Sequence, residues 1–329
     1  FFLYGPSIAD DFIFESSSIE IDKEENKIYA KDGVTVNSDD GLEINSDNAL
    51  YYKDKKILIL NGNVVIKDKT QEIVIRSENI VYEKEIEKIF SKNSTYIEAE
   101  KKFIIKGNNI FFFRLKNEIL SNYPVELKDN SNNIINAKDF NYLIEKKRFL
   151  SSEINFIDEY KNVYKSNSAF IDLNKDRIAA KDIQIYFADG ELGSSARLKG
   201  SSMFSERDIT VIKNGIFTTC KIREGCPPWT IKASEIKHDK SKKLIYYENS
   251  WLTLYDKPVF YFPKFFHPDP TVKRQSGFLT PSVLESSLNG TLFVPYLAIE
   301  EQKTILLTLF SIAALNSETE PVTMLFVIR

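Results

Sequence analysis

The sequence predicts an all-β fold: an elongated, repeat-built jellyroll followed by the first strands of a transmembrane β-barrel. Three observations predict the strands and their stacking, as in a solenoid or an extended jellyroll. First, similar stretches recur at 48–52, 78–82, 108–112 and 138–142, each ending on an aromatic (Tyr52, Tyr82, Phe112, Tyr142), with a fainter copy at 168–170. A period of about 30 residues is the signature of a stacked repeat. Second, the apolar runs are short, β-branched or aromatic, and bounded by Asn, Asp, Gly or Lys clusters, as strands are. Third, apolar residues alternate with polar ones in places, as Ile183 and Ile185 do with Asp182 and Gln184, whereas helical spacing is nowhere sustained.

In chain order, residues 1–9 read as the tail of a secretory signal, with apolar residues, a Gly-Pro break and small residues Ser7 and Ala9. Residues 10–257 hold the repeats. A typical copy runs from the charged turn Lys53, Asp54, Lys55, Lys56 through the apolar run 57–60 to the turn 61–63 and the run 64–66. Stacking such copies lays down continuous rows of inward apolar side chains, either as plain core or as the walls of an apolar trough. The first strands, around Ile19, Ile21, Ile28 and Ala30, are expected to form an open sheet edge. A partner strand adds to such an edge by main-chain pairing.

Residues 258–280 form a connector rich in proline and aromatics. Pro258, Tyr261, Pro263, Arg274, Ser276 and Gly277 mark it. Proline fixes its own φ and lacks a donor, so the segment reads as stiff, and its aromatic rings suit the headgroup level of a membrane. Residues 281–329 supply two longer apolar runs, 291–299 and 304–310, which resemble a hairpin closed by 300–303. Their length matches the ~9–11 residues of a membrane-spanning strand.

Composition narrows the function. The 329 residues carry a net charge of −3, without the clustered basic face that nucleic-acid binding needs. With 12 glycines, glycine-rich phosphate cradles are not expected, and no apolar run suits a transmembrane helix. Cys220 and Cys226 flank a short turn and are candidates for a local disulfide. Zinc needs more ligands than that pair offers. His238 and His267 have no nucleophile motif and read as surface or capping residues, and the scattered carboxylates read as solvated turn formers. No catalytic residue, cofactor or metal is expected.

Four ordered motifs then carry a specific resemblance: Thr218, Thr219 and Cys220; the run Pro228 to Ala233; the run Pro258 to Pro263; and the run Arg274 to Pro281. Together they resemble the LPS-assembly protein LptD family of Gram-negative bacteria. Upstream, the repeats, best seen at Asn61, Gly62, Asn63 and Val64, resemble the OstA-type jellyroll of the same pathway. The resemblance implies a periplasmic jellyroll whose trough passes lipopolysaccharide acyl chains to a barrel in the cell outer membrane. It implies as partners a jellyroll bridge protein (LptA-like) and a barrel-plug lipoprotein (LptE-like). It also places Pro281 and Pro295 on the first barrel strands, as lateral-gate prolines that remove ladder hydrogen bonds and weaken the seam. Family members often pair the cysteine matching Cys220 with one near the end of the barrel, which leaves the partner of Cys220 open. Two alternatives compete: a barrel-less periplasmic lipid bridge, and a secreted β-helix that binds or cleaves glycans.

Overall fold

The computed structural model describes the backbone of residues 7–9, 12–158, 161–188, 196–218, 220, 227–268, 277–278, 282–285, 290–300, 303–314 and 327–328. Side chains are described in 12–158, 161–188, 196–218, 220 and 227–267. The described residues are almost all strand, with two short 3-10 turns at Lys84–Ile86 and Arg114–Lys116 and no α-helix. The all-β expectation holds. Contacts divide the chain into two units, Phe1–Glu159 with Ser168–Asn174, and Tyr160–Asn167 with Lys175–Arg329.

In the first unit the strands are β1 (Ser7–Ala9), β2 (Phe12–Asp22), β3 (Lys27–Ser38), β4 (Leu42–Ser46), β5 (Asn48–Tyr52), β6 (Ile57–Asp68), β7 (Ile73–Glu83) and β8 (Lys88–Ser91). They continue as β9 (Thr95–Ala99), β10 (Phe103–Gly107), β11 (Ile110–Phe113), β12 (Glu118–Ser121), β13 (Val125–Asp129), β14 (Ile134–Ala137), β15 (Phe140–Leu143) and β16 (Arg148–Ile157). All pairings are antiparallel, and they sort into two sheets. Sheet 1 comprises the second half of β2, the first halves of β3 and β6, the second half of β7, the first half of β16, and β5, β8, β11, β12 and β15. Sheet 2 comprises the other halves of those long strands with β1, β4, β9, β10, β13 and β14. The sheets face each other. Phe12 of sheet 2 sits edge-on to Tyr51 and Tyr82 of sheet 1 at 5.1 and 5.8 Å, and Phe103 does the same to Tyr142 at 6.3 Å.

The long strands pass from one sheet to the other by bending, and the bends fall where the ladder slips. Register shifts occur between Ser16 and Ser18 and between Asn61 and Val64. The second shift explains the Asn61-Gly62-Asn63 repeat signal. Gly62 and Asn63 take φ of +78° and +46°. A Cβ on Gly62 would lie 2.3 Å from an Asp47 carboxylate oxygen, so only glycine fits. Asp47 is held there because its N–H donates to Gly62 O at 2.9 Å and its carboxylate accepts from the Asn63 side chain at 3.0 Å. Buried serines line the same side. The hydroxyls of Ser46, Ser121 and Ser151 donate to nearby carbonyls, which satisfies backbone acceptors freed by the bends.

The opposite side carries the turns. Sheet 1 turns place Asn26, Lys56, Glu87, Asn117 and Lys147 in the left-handed region, the geometry of a type I turn closed by a bulge. Their carbonyls accept, in order, from the N–H groups of Lys53, Lys84, Arg114, Ile144 and Leu173. Each turn is thereby tied to the next, one repeat on.

The second unit contains an antiparallel meander, here β18 (Arg177–Tyr186), β19 (Arg197–Glu206), β20 (Ile209–Thr218), β21 (Trp229–Asp239), β22 (Leu244–Leu254) and β23 (Lys257–Pro268); β17 (Val163–Asp172) spans the boundary between the units. The expected connector is therefore a paired strand through Pro268. Its prolines sit where a ladder tolerates them. Pro258 lies at the register shift beside Leu252 and Thr253, and Pro268 ends the strand. Pro263 falls opposite Asn249, whose φ is +48°. His267 also departs from the surface role expected of it. It is buried, with Nε2 2.8 Å from Tyr247 Oη and its ring against Phe217, Phe265 and Tyr247. Further on, Gly290–Glu300 and Lys303–Ala314 pair antiparallel, the hairpin expected from 291–299 and 304–310. Gly277–Phe278 and Ser282–Glu285 both pair with the first of these strands.

Candidate functional site

The register of the first unit turns its sequence pattern into two long apolar rows. In sheet 1, paired positions run Ile21, Ile28, Tyr51, Leu58, Tyr82, Ile89, Phe112, Ile119, Tyr142 and Phe149. In sheet 2 they run Phe14, Val36, Ile44, Ile66, Ile75, Ile97, Ile105, Leu127, Ile135 and Phe156. Side chains of strand neighbours on one face touch, so each row is continuous along the stack. The first aromatic anchor is corrected by one residue. Tyr51, not Tyr52, enters the row, because it pairs with Leu58, which pairs with Tyr82.

The interior between the rows is filled. Most row members are fully buried in one continuous core. A recess between the sheets, lined by Ile75, Ile89, Ile97, Ile110 and Phe112 with Ser91 and Thr95, has no room for a water molecule. The expected trough is therefore not an open slot here. Collapse of the two apolar faces onto each other removes them from water, at ~25 cal/mol per Å².

The turn side is closed by charge. Arg114, in a sheet 1 turn, is 8% exposed and reaches across to sheet 2. Its Nε donates to Asp68 Oδ2 at 2.8 Å and its Nη1 to Asp40 Oδ2 at 2.7 Å, and it also pairs with Glu87. Lys84, from the neighbouring sheet 1 turn, pairs with Asp40 as well and lies 2.9 Å from Glu87 Oε1. The side chain of Gln71 donates to Arg114 O at 2.9 Å. One repeat on, Lys147 Nζ lies 3.1 Å from Glu100 Oε2, and Tyr142 Oη donates to Glu100 Oε1 at 3.1 Å. The reading of all turn carboxylates as solvated is corrected by Asp68. It is 2% exposed, caps its own turn through the N–H groups of Thr70 and Gln71, and turns its other oxygen to Arg114.

Burial pushes the Asp40 carboxyl up, but hydrogen bonds from Lys84, Ser38 and Arg114 outweigh it and hold Asp40 well below the usual carboxylate range. Hydrogen bonds from Lys67 and Lys69 lower Glu43, next along β4, to about 2. Both folded values lie below those of the unfolded chain. Their contribution to stability is therefore complete above ~4.5 and is lost as pH falls through the folded values. We expect the urea midpoint to be flat from pH 7 to about 5 and to fall steadily below about pH 4. Lys84→Ala removes the first-named partner of Asp40 and should reduce that acid slope.

The expected partner edge is narrower than the sequence suggests. β3, with Ile28 and Ala30, pairs on both sides, with β2 and with β5. β2 is covered on its outer side by β1 only from Phe12 to Phe14. Among the described residues, its stretch 15–22, with buried Ile19 and exposed Ile21, has no strand on that side. Elsewhere, Pro258, Tyr261 and Pro263 are exposed on β23, and the Tyr261 ring packs at a tilt against Trp251, with centroids 5.0 Å apart. Cys220 is a free thiol, with Sγ 3.8 Å from Trp229 O. Pro295 pairs with Thr308 directly after a register shift at Val294. The backbone of Gly277 pairs with Leu297. Cys226, Arg274, Ser276 and Pro281 lie outside the described residues. No group of three or more His, Cys, Asp or Glu residues could hold a metal among the described residues.

The first unit matches a known protein family. Residues 11–119 match the family described as lipopolysaccharide-assembly, LptC-related. That span covers β2 to β11 and reaches into β12, with the whole Arg114 cluster inside it. The chain is similar to LPS-assembly protein LptD of Pseudomonas aeruginosa, 34% identical over 105 residues, which is 31% of this chain and 11% of that protein. LPS-assembly protein LptD of Pectobacterium atrosepticum is 30% identical over 146 residues, 42% of this chain and 17% of that protein. The corresponding protein of Yersinia pestis is 38% identical over 88 residues, 26% and 11% of the two chains. The aligned stretches thus span a small part of these relatives. They support kinship with lipopolysaccharide-assembly proteins in general, rather than with LptD in particular.

Proposed function

We propose that the chain takes part in lipopolysaccharide assembly, carrying acyl chains between the two sheets of its first unit toward strands seated in the outer membrane. The paired apolar rows carry this reading. They run along the stack without a charged residue, so a hydrocarbon chain lying between them meets mainly apolar neighbours. Each CH₂ sheltered from water contributes ~0.8 kcal/mol. The filled interior means that the sheets part to admit lipid. The bends join the sheets along one side only, so parting breaks no ladder hydrogen bond. The work is transport, with no covalent step.

The same reading assigns the remaining parts. The open stretch 15–22 of β2 receives a partner jellyroll, LptA-like, by strand addition. The strands after residue 281 begin a barrel in the cell outer membrane, plugged by an LptE-like lipoprotein, while the first unit lies in the periplasm. There Pro281 and Pro295 weaken the seam through which lipid leaves. The register shift beside Pro295 supports that role.

One experiment tests the reading. A photo-crosslinking residue is placed in cells at Phe112, at Phe111, at Glu20 or at Tyr29. Phe112 points inward, whereas Phe111 lies on the outer face against Phe90 at 4.6 Å. Lipopolysaccharide adducts are expected at Phe112 and not at Phe111. Adducts with a periplasmic partner protein are expected at Glu20, on the free edge, and not at Tyr29, on the doubly paired strand. Equal lipid labelling at Phe111 and Phe112 would refute the interior path. Partner adducts at Tyr29 alone would refute the edge.

A further inference from the structure

We propose that Arg114 centres an ionic latch that holds the two sheets shut on their turn side and controls access to the interior. The inference rests on the interior being the lipid path. The bends join the sheets covalently along one side, and the polar contacts that close the other side all involve a side chain, with no backbone–backbone hydrogen bond across it among the described residues. Those contacts form two clusters. The first joins Arg114 and Lys84 of sheet 1 to Asp40 and Asp68 of sheet 2, with Glu87 beside them. The second joins Lys147 and Tyr142 of sheet 1 to Glu100 of sheet 2. The sequence separations are 74 residues for Arg114 with Asp40 and 46 for Arg114 with Asp68, so the pairs tie one repeat to others several strands away.

The composition of the first cluster suits a part that opens. A purely apolar closure would be more stable and harder to part, because a buried ion pair recovers little beyond the cost of desolvating it. Opening lets all five charged side chains regain water, which offsets the lost pairing. The cluster is also incompletely satisfied. Asp40 Oδ1 and Gln71 Oε1 are buried and accept no hydrogen bond from the protein, and opening hydrates both. Asp68 stays attached to its own turn through the Thr70 and Gln71 N–H groups, so the latch parts at Arg114 and the sheet 2 turn keeps its shape. The latch lies beside Tyr82, whose hydroxyl donates to Glu87 at 2.7 Å and is 3.4 Å from Arg114 Nη1. Tyr82 belongs to the sheet 1 apolar row, so the charged cluster and the lipid path share a side chain.

The test measures the gap directly. Spin labels are attached to Glu85→Cys and Thr70→Cys, exposed positions on facing turns, in the full chain carrying Cys220→Ser and Cys226→Ser. Distances are compared with the latch intact, with Arg114→Gln/Asp68→Asn, and with Lys84→Gln added. The double change removes both buried charges together and leaves no lone ion inside. The label distance is expected to lengthen by ~4 Å or more, the thickness of one hydrocarbon chain. Uptake of a fluorescent lipid A should become roughly tenfold faster, equivalent to ~1.4 kcal/mol. Where the double variant fails to fold, Lys147→Glu decides: it should also speed uptake, and Lys147→Glu/Glu100→Lys should restore the slower rate. An unchanged distance in a folded latch-free protein overturns the latch. Lipid A excluded from every form overturns the lipid path and the control of access with it, while the distances still report whether the turn side opens.

Discussion

Alanine at Arg114 is expected to destabilise the first unit by about 3–5 kcal/mol, the usual cost of stranding a buried charge. Arg114 is half of a pair whose other member, Asp68, is almost wholly enclosed. Burial alone would lower the Arg114 pKa, but hydrogen bonds to Asp68 and Asp40 raise it, so the guanidinium is the form the site is built around. Without it, Asp68 keeps its turn hydrogen bonds and loses its counter-charge, Asp40 loses one of two cations, and the Gln71 amide loses nothing, since it binds the Arg114 backbone. The urea midpoint should fall by more than about 1 M. Lys138→Ala, which removes an exposed pair with Glu153, should leave the midpoint almost unchanged. Equal effects at the two positions would show that Arg114 is not held as described.

Phe112→Ala should cost a similar ~3–5 kcal/mol, for a different reason. Phe112 is 1% exposed, between Ile89 and Ile119 on its row, and it walls the recess that also touches Ile75 and Ile97. Removing the ring enlarges a space that its rigid neighbours cannot close. Phe111, one residue earlier, stacks on Phe90 and Phe113 on the outer face, and its loss should cost no more than about 1.5 kcal/mol. Chemical denaturation of the two variants therefore checks the register. A slip by one residue would exchange the two values.

Much of this fold was legible because it repeats. Tyr82, Phe112 and Tyr142 are spaced by 30 and all face inward, so local pattern and stacking agree. The slip at Tyr51 arose where two tyrosines are adjacent and a half-turn of register decides between them. Pairing with Leu58 made that choice, and pairing is invisible in a single stretch of sequence. Residues 258–280 read as a connector because prolines usually interrupt sheets, yet Pro258, Pro263 and Pro268 each sit at an irregularity or an end of a paired strand. His267 looked like a surface residue because nothing near it in sequence shows that Phe217 and Tyr247 close over it. The Arg114 cluster gave no local signal at all. Asp40, Asp68, Lys84 and Glu87 each resemble ordinary turn charges, and only the meeting of two sheets distinguishes them from the many that stay in water.

The tie between successive turns has a bearing on how such a protein changes length. Because Lys84 N–H binds Lys56 O just as Arg114 N–H binds Glu87 O, each storey of the stack offers the next the same docking geometry. In a stack of this kind, stability is a sum over storeys and their nearest neighbours. Excising residues 57–87 would bring Tyr51 opposite Ile89 in place of Leu58, an aromatic against an aliphatic as before. Evolution could therefore shorten or lengthen the stack in whole storeys without redesigning either end.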